Sequence, residues 1–394
     1  PALLINFLIT YLVYRGIKES RNFSNIMVVL KLAVVALIIL VGGYLIFSNG
    51  LTSNWMPAND AGVKSFMPNG FGGVMMAVSS VFFAYIGFDA VSVLAEESKN
   101  PQRDLPRGMI LSLVICTIIY ILLTLVLTGA VNYRNFDGVG DPLAFIFEPQ
   151  NLNIGWMQFV VAVVAVIAMT SVLLVFQMGQ PRMWMTMSRD GLMPPVFQNI
   201  HPKFKTPSFA TIVTGLVVGI PIIFTDKTFV LDFTSIATLF AFVLVCGGVL
   251  LIPRKEKVAG RFHLPYINGQ FLFPAVVLAS MFVAYKLSAT YFSDLFVFDY
   301  SANEEYIAGK KSFMDLALPN ISLIIFWAGA LLLSGLTMVK KYSFIPLMGV
   351  FTCMYLLTGM SKSNWVWFIG WLALGIIFYF MYGYKNSKLA QQAA

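Results

Sequence analysis

Gly72-Gly-Val-Met-Met-Ala-Val-Ser-Ser-Val-Phe-Phe-Ala-Tyr-Ile-Gly-Phe-Asp-Ala-Val91 is apolar enough to enter a bilayer, yet Gly87 and Asp89 interrupt it near mid-span. Glycine lets the backbone leave helical geometry. A break at membrane depth is tolerated only where the freed backbone groups face a cavity or other protein. Such half-helix ends carry partial charge and suit a zwitterionic ligand. The residues alone leave a second reading open, a kinked packing helix in which Asp89 is satisfied by its neighbours.

The rest of the chain places this segment in a membrane. Of 394 residues, 58% are hydrophobic and 11% charged, with a mean hydropathy of +0.80. Soluble domains are nearer a quarter charged. Apolar runs recur at 1–14, 22–47, 71–95, 108–131, 156–181, 208–224, 229–252, 271–290, 319–339, 343–360 and 365–383. The runs are continuous and do not alternate apolar with polar, which excludes a barrel. The fold class is therefore all-α, a polytopic membrane protein of about eleven segments, the first of them partial. Proline, glycine and asparagine punctuate the joins, as at Met67-Pro68-Asn69-Gly70 and Met193-Pro194-Pro195.

A net charge of +8 invites an anionic partner such as nucleic acid, but the distribution of the basic residues explains it otherwise. Eighteen of the 26 lysines and arginines fall in alternate loops, from Arg15, Lys18 and Arg21 through to Lys385 and Lys388. The opposite loops hold only Lys64, Arg134, Lys227, Lys310, Lys311 and Lys362. Cytoplasmic loops carry such an excess, so the C-terminus is expected in the cytoplasm and no nucleic-acid partner is implied. Asp294, Asp299, Glu304, Glu305 and Asp315 then lie outside, as solvated surface. Cys116, Cys246 and Cys353 lie within apolar runs and read as unpaired small hydrophobes. No signal peptide precedes the opening run, and the short first segment leads us to expect an N-terminally incomplete piece of a longer protein.

Lys31 carries the only charge between Ile26 and Phe47. An ionisable group at membrane depth is costly and is by default a functional-site hypothesis. At the helical rise it lies about 7 Å from Ile26, a distance its own stem could bridge by snorkelling. Depth alone leaves anchor and functional group equally open. Lys286, near the end of its run, reads as a snorkelling residue. His201 and His263 sit in separate loops with no partner at metal-ligand spacing, so no metal site and no cofactor is expected.

Three stretches carry a resemblance. Phe82-Phe83-Ala84-Tyr85-Ile86-Gly87-Phe88-Asp89, with Glu96-Glu97 and Asn100-Pro101-Gln102-Arg103, resembles the sixth helix and following loop of amino acid permeases. Gln180-Pro181-Arg182, Ser188-Arg189-Asp190-Gly191-Leu192-Met193-Pro194 and His201-Pro202-Lys203-Phe204-Lys205-Thr206-Pro207 resemble the loop after their eighth helix. Trp365 to Lys388 is similar to their last helix and basic tail. The family is the amino acid–polyamine–organocation superfamily, cationic amino acid transporter branch.

The resemblance implies a LeuT-type fold of two inverted five-helix repeats, each with a broken first helix. It assigns 1–47 to the family's fourth and fifth helices, ending the first repeat. Residues 71–252 become the second repeat, and 253–394 the C-terminal helices with an extra hairpin at 271–290 and 319–339. Three helices would precede this chain, including the broken first helix that holds a substrate carboxylate.

The resemblance also implies roles. Lys31 takes the place occupied by sodium in sodium-driven relatives and binds and releases a proton, with a hydroxyl from Ser171, or Thr170 beside it, near its amine. Phe83, Ala84, Tyr85, Ile86 and Gly87 match the unwound segment, whose carbonyls face the substrate ammonium. Phe83, and after it Phe88, is the aromatic that caps the substrate. Asp89 would cap the second half-helix. The expected function is secondary active amino acid transport by proton symport and alternating access in the cell's inner (plasma) membrane, with amino acid, protons and lipid as partners. Exchange, sodium coupling and a non-transporting sensor remain as alternatives. An enzyme is not expected, because no His-Glu-x-x-His motif or carboxylate dyad is present. The carried amino acid is left open.

Overall fold

The computed structural model describes residues 2–16, 21–58, 62, 64–68, 70–88, 100–252, 265–301 and 304–388. Among these, eleven apolar helices carry the chain and no β-strand is present. They are α1 (Ala2–Tyr14), α2 (Arg21–Ser48), α3 (Gly70–Val81), α4 (Pro101–Ala130), α5 (Gly155–Arg189) and α6 (Ser208–Phe224). They continue with α7 (Lys227–Leu251), α8 (Gly269–Leu287), α9 (Phe313–Lys340), α10 (Phe344–Thr358) and α11 (Lys362–Phe378). Seven have the length and apolarity to cross a membrane, and α1, α3, α6 and α10 are shorter. Large apolar side chains such as Leu40, Phe47, Phe224 and Leu251 stand exposed, as lipid-facing surface does. The chain is an all-α polytopic membrane protein.

Each expected apolar run is a helix, but several ends differ. Helix α3 ends at Val81, and residues 89–95 of the expected run 71–95 lie outside the described residues. Helix α4 starts at Pro101, seven residues early: proline at the first helical position brings a preset φ, and the Asn100 carbonyl accepts from the amides of Arg103 (3.1 Å) and Asp104 (2.9 Å). Helix α5 runs on through Pro181 to Arg189. Pro181 is buried there; lipid-embedded helices tolerate proline when neighbours satisfy the freed groups. The start of α9 moves back to Phe313 because Ser312 and Asp315 form a capping box.

The chain forms two compact units that do not follow sequence order. One comprises Pro1–Val74, Gly87–Thr225 and Ile377–Ala394; the other comprises Met75–Ile86 and Asp226–Ile376.

In the first unit, α2, α4 and α5 meet around Ile38, Ile46, Val126, Ala130, Met157 and Val161. Lipid is as apolar as these side chains, so helix association here rests on close packing and interhelical hydrogen bonds. Gly129 shows the packing: a Cβ there would lie 2.8 Å from Ile46 Cδ1 and 2.8 Å from Trp55 Nε1. The short turn Leu51–Trp55 also caps α4. Trp55 Nε1 donates to the Leu125 carbonyl and Asn54 Nδ2 to the Gly129 carbonyl, each at 2.8 Å; the second supplies a partner to one of the last four carbonyls of the helix, which have none within it.

Polar contacts tie α1 to α5 and α6. Asn6 Nδ2 donates to the Gly215 carbonyl at 3.0 Å, and Gln177 Nε2 to Thr10 Oγ1 at 2.8 Å. Model systems put such interhelical bonds at about 0.6–2 kcal/mol each. At the end of α1, Thr206 Oγ1 donates to the Tyr14 carbonyl at 2.8 Å. His201 Nδ1 there accepts the amides of Lys203 and Phe204 (3.2 and 3.3 Å), so its ring builds the loop. The C-terminal segment docks in the same unit, where the Lys388 amide donates to the Asp190 carbonyl at 3.1 Å.

In the second unit, α8, α9 and α10 share a core of Phe273, Val277, Phe326, Trp327, Ala330 and Leu347. Helices α8 and α9 pack on each other and on α10. A second core joins α7 to α10 and α11 through Ile236, Leu239, Leu357 and Phe368. Lys362 Nζ, at the start of α11, donates to Ser312 Oγ at 2.8 Å and lies 3.5 Å from Asp315 Oδ1.

Candidate functional site

Lys31 stands on α2 where that helix packs along α5. Its Nζ donates to Ser171 Oγ at 2.9 Å, and both side chains are partly buried. The neighbouring hydroxyl is otherwise engaged: Thr170 Oγ1 donates to the Val166 carbonyl one turn back, at 2.9 Å. Of the two hydroxyls the sequence offered, the structure brings Ser171 to the lysine. Among the described residues, Ser171 is the amine's hydrogen-bond partner and no carboxylate pairs with it. A hydrogen bond to a charged group is worth about 1.5–3 kcal/mol. Placing an ammonium at the centre of a membrane helix costs about 2.5–3.5 kcal/mol on insertion scales. The hydroxyl offsets part of such a cost, and an ammonium retains two further N–H donors for another ligand.

The quoted segment breaks as a helix within the described residues. Beyond Val81 the backbone tightens into a 3₁₀ turn over Phe82–Tyr85. Ile86 is extended (φ −64, ψ 134) and donates its amide to the Phe83 carbonyl at 3.1 Å. Gly87 follows at φ +122, a conformation closed to other residues. Among the described residues a Cβ on Gly87 would meet only Phe176 Cζ of α5, at 3.9 Å, so there backbone shape and not space favours the glycine. Before the break, Ser79 is buried and donates to the Leu356 carbonyl at 3.1 Å. Phe82 packs edge-on against Phe242, and Phe83 is 37% exposed. Of the two rings Phe83 is the more open and Phe82 the one held by a neighbour. Asp89 and His263 lie outside the described residues.

The sequence reading passed over one pair. Asp232, the only acidic residue of α7, accepts from Asn364 Nδ2 of α11 at 3.1 Å, and Asn364 is 2% exposed. A lone carboxylate in an apolar helix was a signal of the same kind as Lys31. Lys286, by contrast, is exposed near the end of α8 with its amine 5.6 Å from the Phe282 ring centre, as a snorkelling side chain would be.

A family model described as amino acid permease matches residues 2–298, about three quarters of the chain. The chain belongs to the amino acid permease family. A second model, for the C-terminus of such permeases, matches residues 342–387. The branched-chain amino acid permease BcaP of Bacillus subtilis is 33% identical over 99% of this chain, which spans 65% of BcaP. The methylthioribose transporter of the same organism is 39% identical over 68% of the chain and 55% of its own length. Cationic amino acid transporter 2, vacuolar, of Arabidopsis thaliana is 28% identical over 99% of the chain and 69% of its own length. All are permeases or transporters by name, and none is an enzyme.

Proposed function

We propose that the protein is a secondary active transporter that carries amino acids with protons by alternating access. The observation that carries this reading is the Lys31–Ser171 contact, which gives a membrane helix a fixed amine able to hold a proton. Lys31 is the proton-coupling residue and Ser171 positions its amine. Its built-in cation disfavours sodium at the same place. The carbonyls of Phe83, Ala84, Tyr85, Ile86 and Gly87 contact the substrate ammonium; each carbonyl has two lone pairs, so one can serve a ligand beside an internal bond. Phe83 covers the bound amino acid and Asp89 caps the helix that follows.

In this reading 1–47 closes a first repeat, 71–252 is the second, and 253–394 adds the C-terminal helices. The protein resides in the plasma membrane with a cytoplasmic C-terminus, as its basic loops favour. The names of its relatives span branched-chain and cationic amino acids and methylthioribose, so the side-chain preference is tested across that range. Purified protein in proteoliposomes, under an inward pH gradient, is offered leucine, arginine and methylthioribose. Accumulation of an amino acid with parallel proton entry is expected. Uptake that needs sodium, or that runs only against internal amino acid, contradicts proton symport; uptake of methylthioribose alone contradicts the substrate class.

A further inference from the structure

Helices α1 and α6 run antiparallel, and their closest approach is at glycine. A Cβ on Gly215 would lie 2.7 Å from Thr10, and one on Gly219 3.0 Å from Asn6 Nδ2. Larger side chains flank this seam in rows four residues apart: Leu3, Phe7 and Tyr11 on α1, and Ile212, Leu216 and Ile220 on α6. Residues at that spacing share a helix face. The rows are the walls of an open apolar groove of about 580 Å³. Between Leu3 and Tyr11 it extends about 12 Å along the helix axis. Phe7 is 70% exposed and Leu216 57%, so among the described residues nothing covers the walls.

The row on α1 continues one turn further to Arg15. Its Nη1 donates to Tyr11 Oη at 3.2 Å, and its guanidinium carbon lies 5.7 Å from the Tyr11 ring and 5.9 Å from the Phe204 ring. Two aromatic faces therefore fix a cation at the mouth of the groove. Among the described residues no carboxylate neutralises it. A guanidinium offers five N–H donors in a planar fork that matches phosphate, and Tyr11 takes one of them.

We propose that this groove is a binding site for an anionic phospholipid, with an acyl chain between the rows and the phosphate on Arg15. A hydrocarbon tail ending in phosphate matches both the apolar length and the charged end, and a net negative headgroup is preferred because it brings no ammonium against the guanidinium. The groove is lined by α1 and α6 alone and does not depend on the transport reading.

Native mass spectrometry of the purified full chain, titrated with dioleoyl-phosphatidylglycerol or dioleoyl-phosphatidylcholine, tests it. The unaltered protein should hold phosphatidylglycerol at roughly tenfold lower lipid concentration, a preference of about 1.4 kcal/mol. Arg15→Gln should bring the two lipids level, and Leu216→Trp, which fills the groove, should weaken both. Inorganic phosphate in excess should leave the lipid bound. A preference that survives Arg15→Gln, phosphatidylglycerol binding untouched by Leu216→Trp, or displacement by free phosphate would each overturn the proposal.

Discussion

The amine of Lys31 and the hydroxyl of Ser171, 140 positions apart in the chain, meet at 2.9 Å between two helices of one compact unit. The amine is held by a serine on a neighbouring helix, the arrangement on which the proton-coupling proposal is built.

Ser171→Ala should therefore reduce pH-driven uptake several-fold, whereas Thr170→Ala should leave it within twofold, because the Thr170 hydroxyl serves only its own helix. The lost charge-assisted bond is worth about 1.5–3 kcal/mol at most. Initial rates for the two variants, matched for membrane abundance, check this. Equal loss in both variants would point to the helix surface and not to the amine.

Gly87→Ala forces a side chain onto a backbone at φ +122. Strain of this kind costs about 1–3 kcal/mol, so a lower melting temperature and reduced uptake are expected. Gly179→Ala is the control, because that glycine lies inside α5 with open space around it. There the change should be neutral or stabilising by up to about 1 kcal/mol. A thermal-shift assay on both variants distinguishes backbone strain from loss of a small side chain.

Gly215→Val should part α1 from α6, since its Cβ would press on Thr10 and disturb the bond from Asn6 to the Gly215 carbonyl. Overpacking typically costs about 1–3 kcal/mol. Asn6→Ala removes the bond without crowding and should cost less, about 0.6–2 kcal/mol. Unfolding in mild denaturant ranks the two.

Asn364→Leu leaves Asp232 without the amide that donates to it. Removing one partner from a buried polar pair costs about 1–3 kcal/mol. Asp232→Asn combined with Asn364→Leu should recover part of the loss, because the charge is gone. Melting temperatures of the single and double variants read the coupling.

The helices were legible because lipid demands long apolar runs, and the alternation of basic loops located them. Lys31 was legible for the same reason, as a charge alone in such a run. Its partner Ser171 was named only through the resemblance: adjacent residues on a helix point about 100° apart, and whether Ser171 or Thr170 beside it meets α2 is decided by packing. The break at Phe82–Gly87 was announced by glycine, but the 3₁₀ turn that precedes it has no residue signature in Phe-Phe-Ala-Tyr. Asp232 was as legible as Lys31, a lone charge in an apolar run, but Asn364, 132 positions away on α11, was not legible as its partner. The early starts of α4 and α9 were hidden by Pro106 and Pro319, which sit inside those helices and read as breaks.

The account rests most heavily on Lys31 as the group that takes up and releases the proton. Lys31→Arg tests this directly, because arginine keeps the charge and can still reach a hydroxyl but does not deprotonate in proteins. Proteoliposomes holding this variant or the unaltered protein are given the same inward pH gradient, and amino acid and proton entry are recorded together. The account predicts that Lys31→Arg loses at least tenfold in gradient-driven accumulation, a barrier change of about 1.4 kcal/mol or more. Unchanged accumulation with unchanged proton entry would contradict it and return Lys31 to the role of a charged anchor.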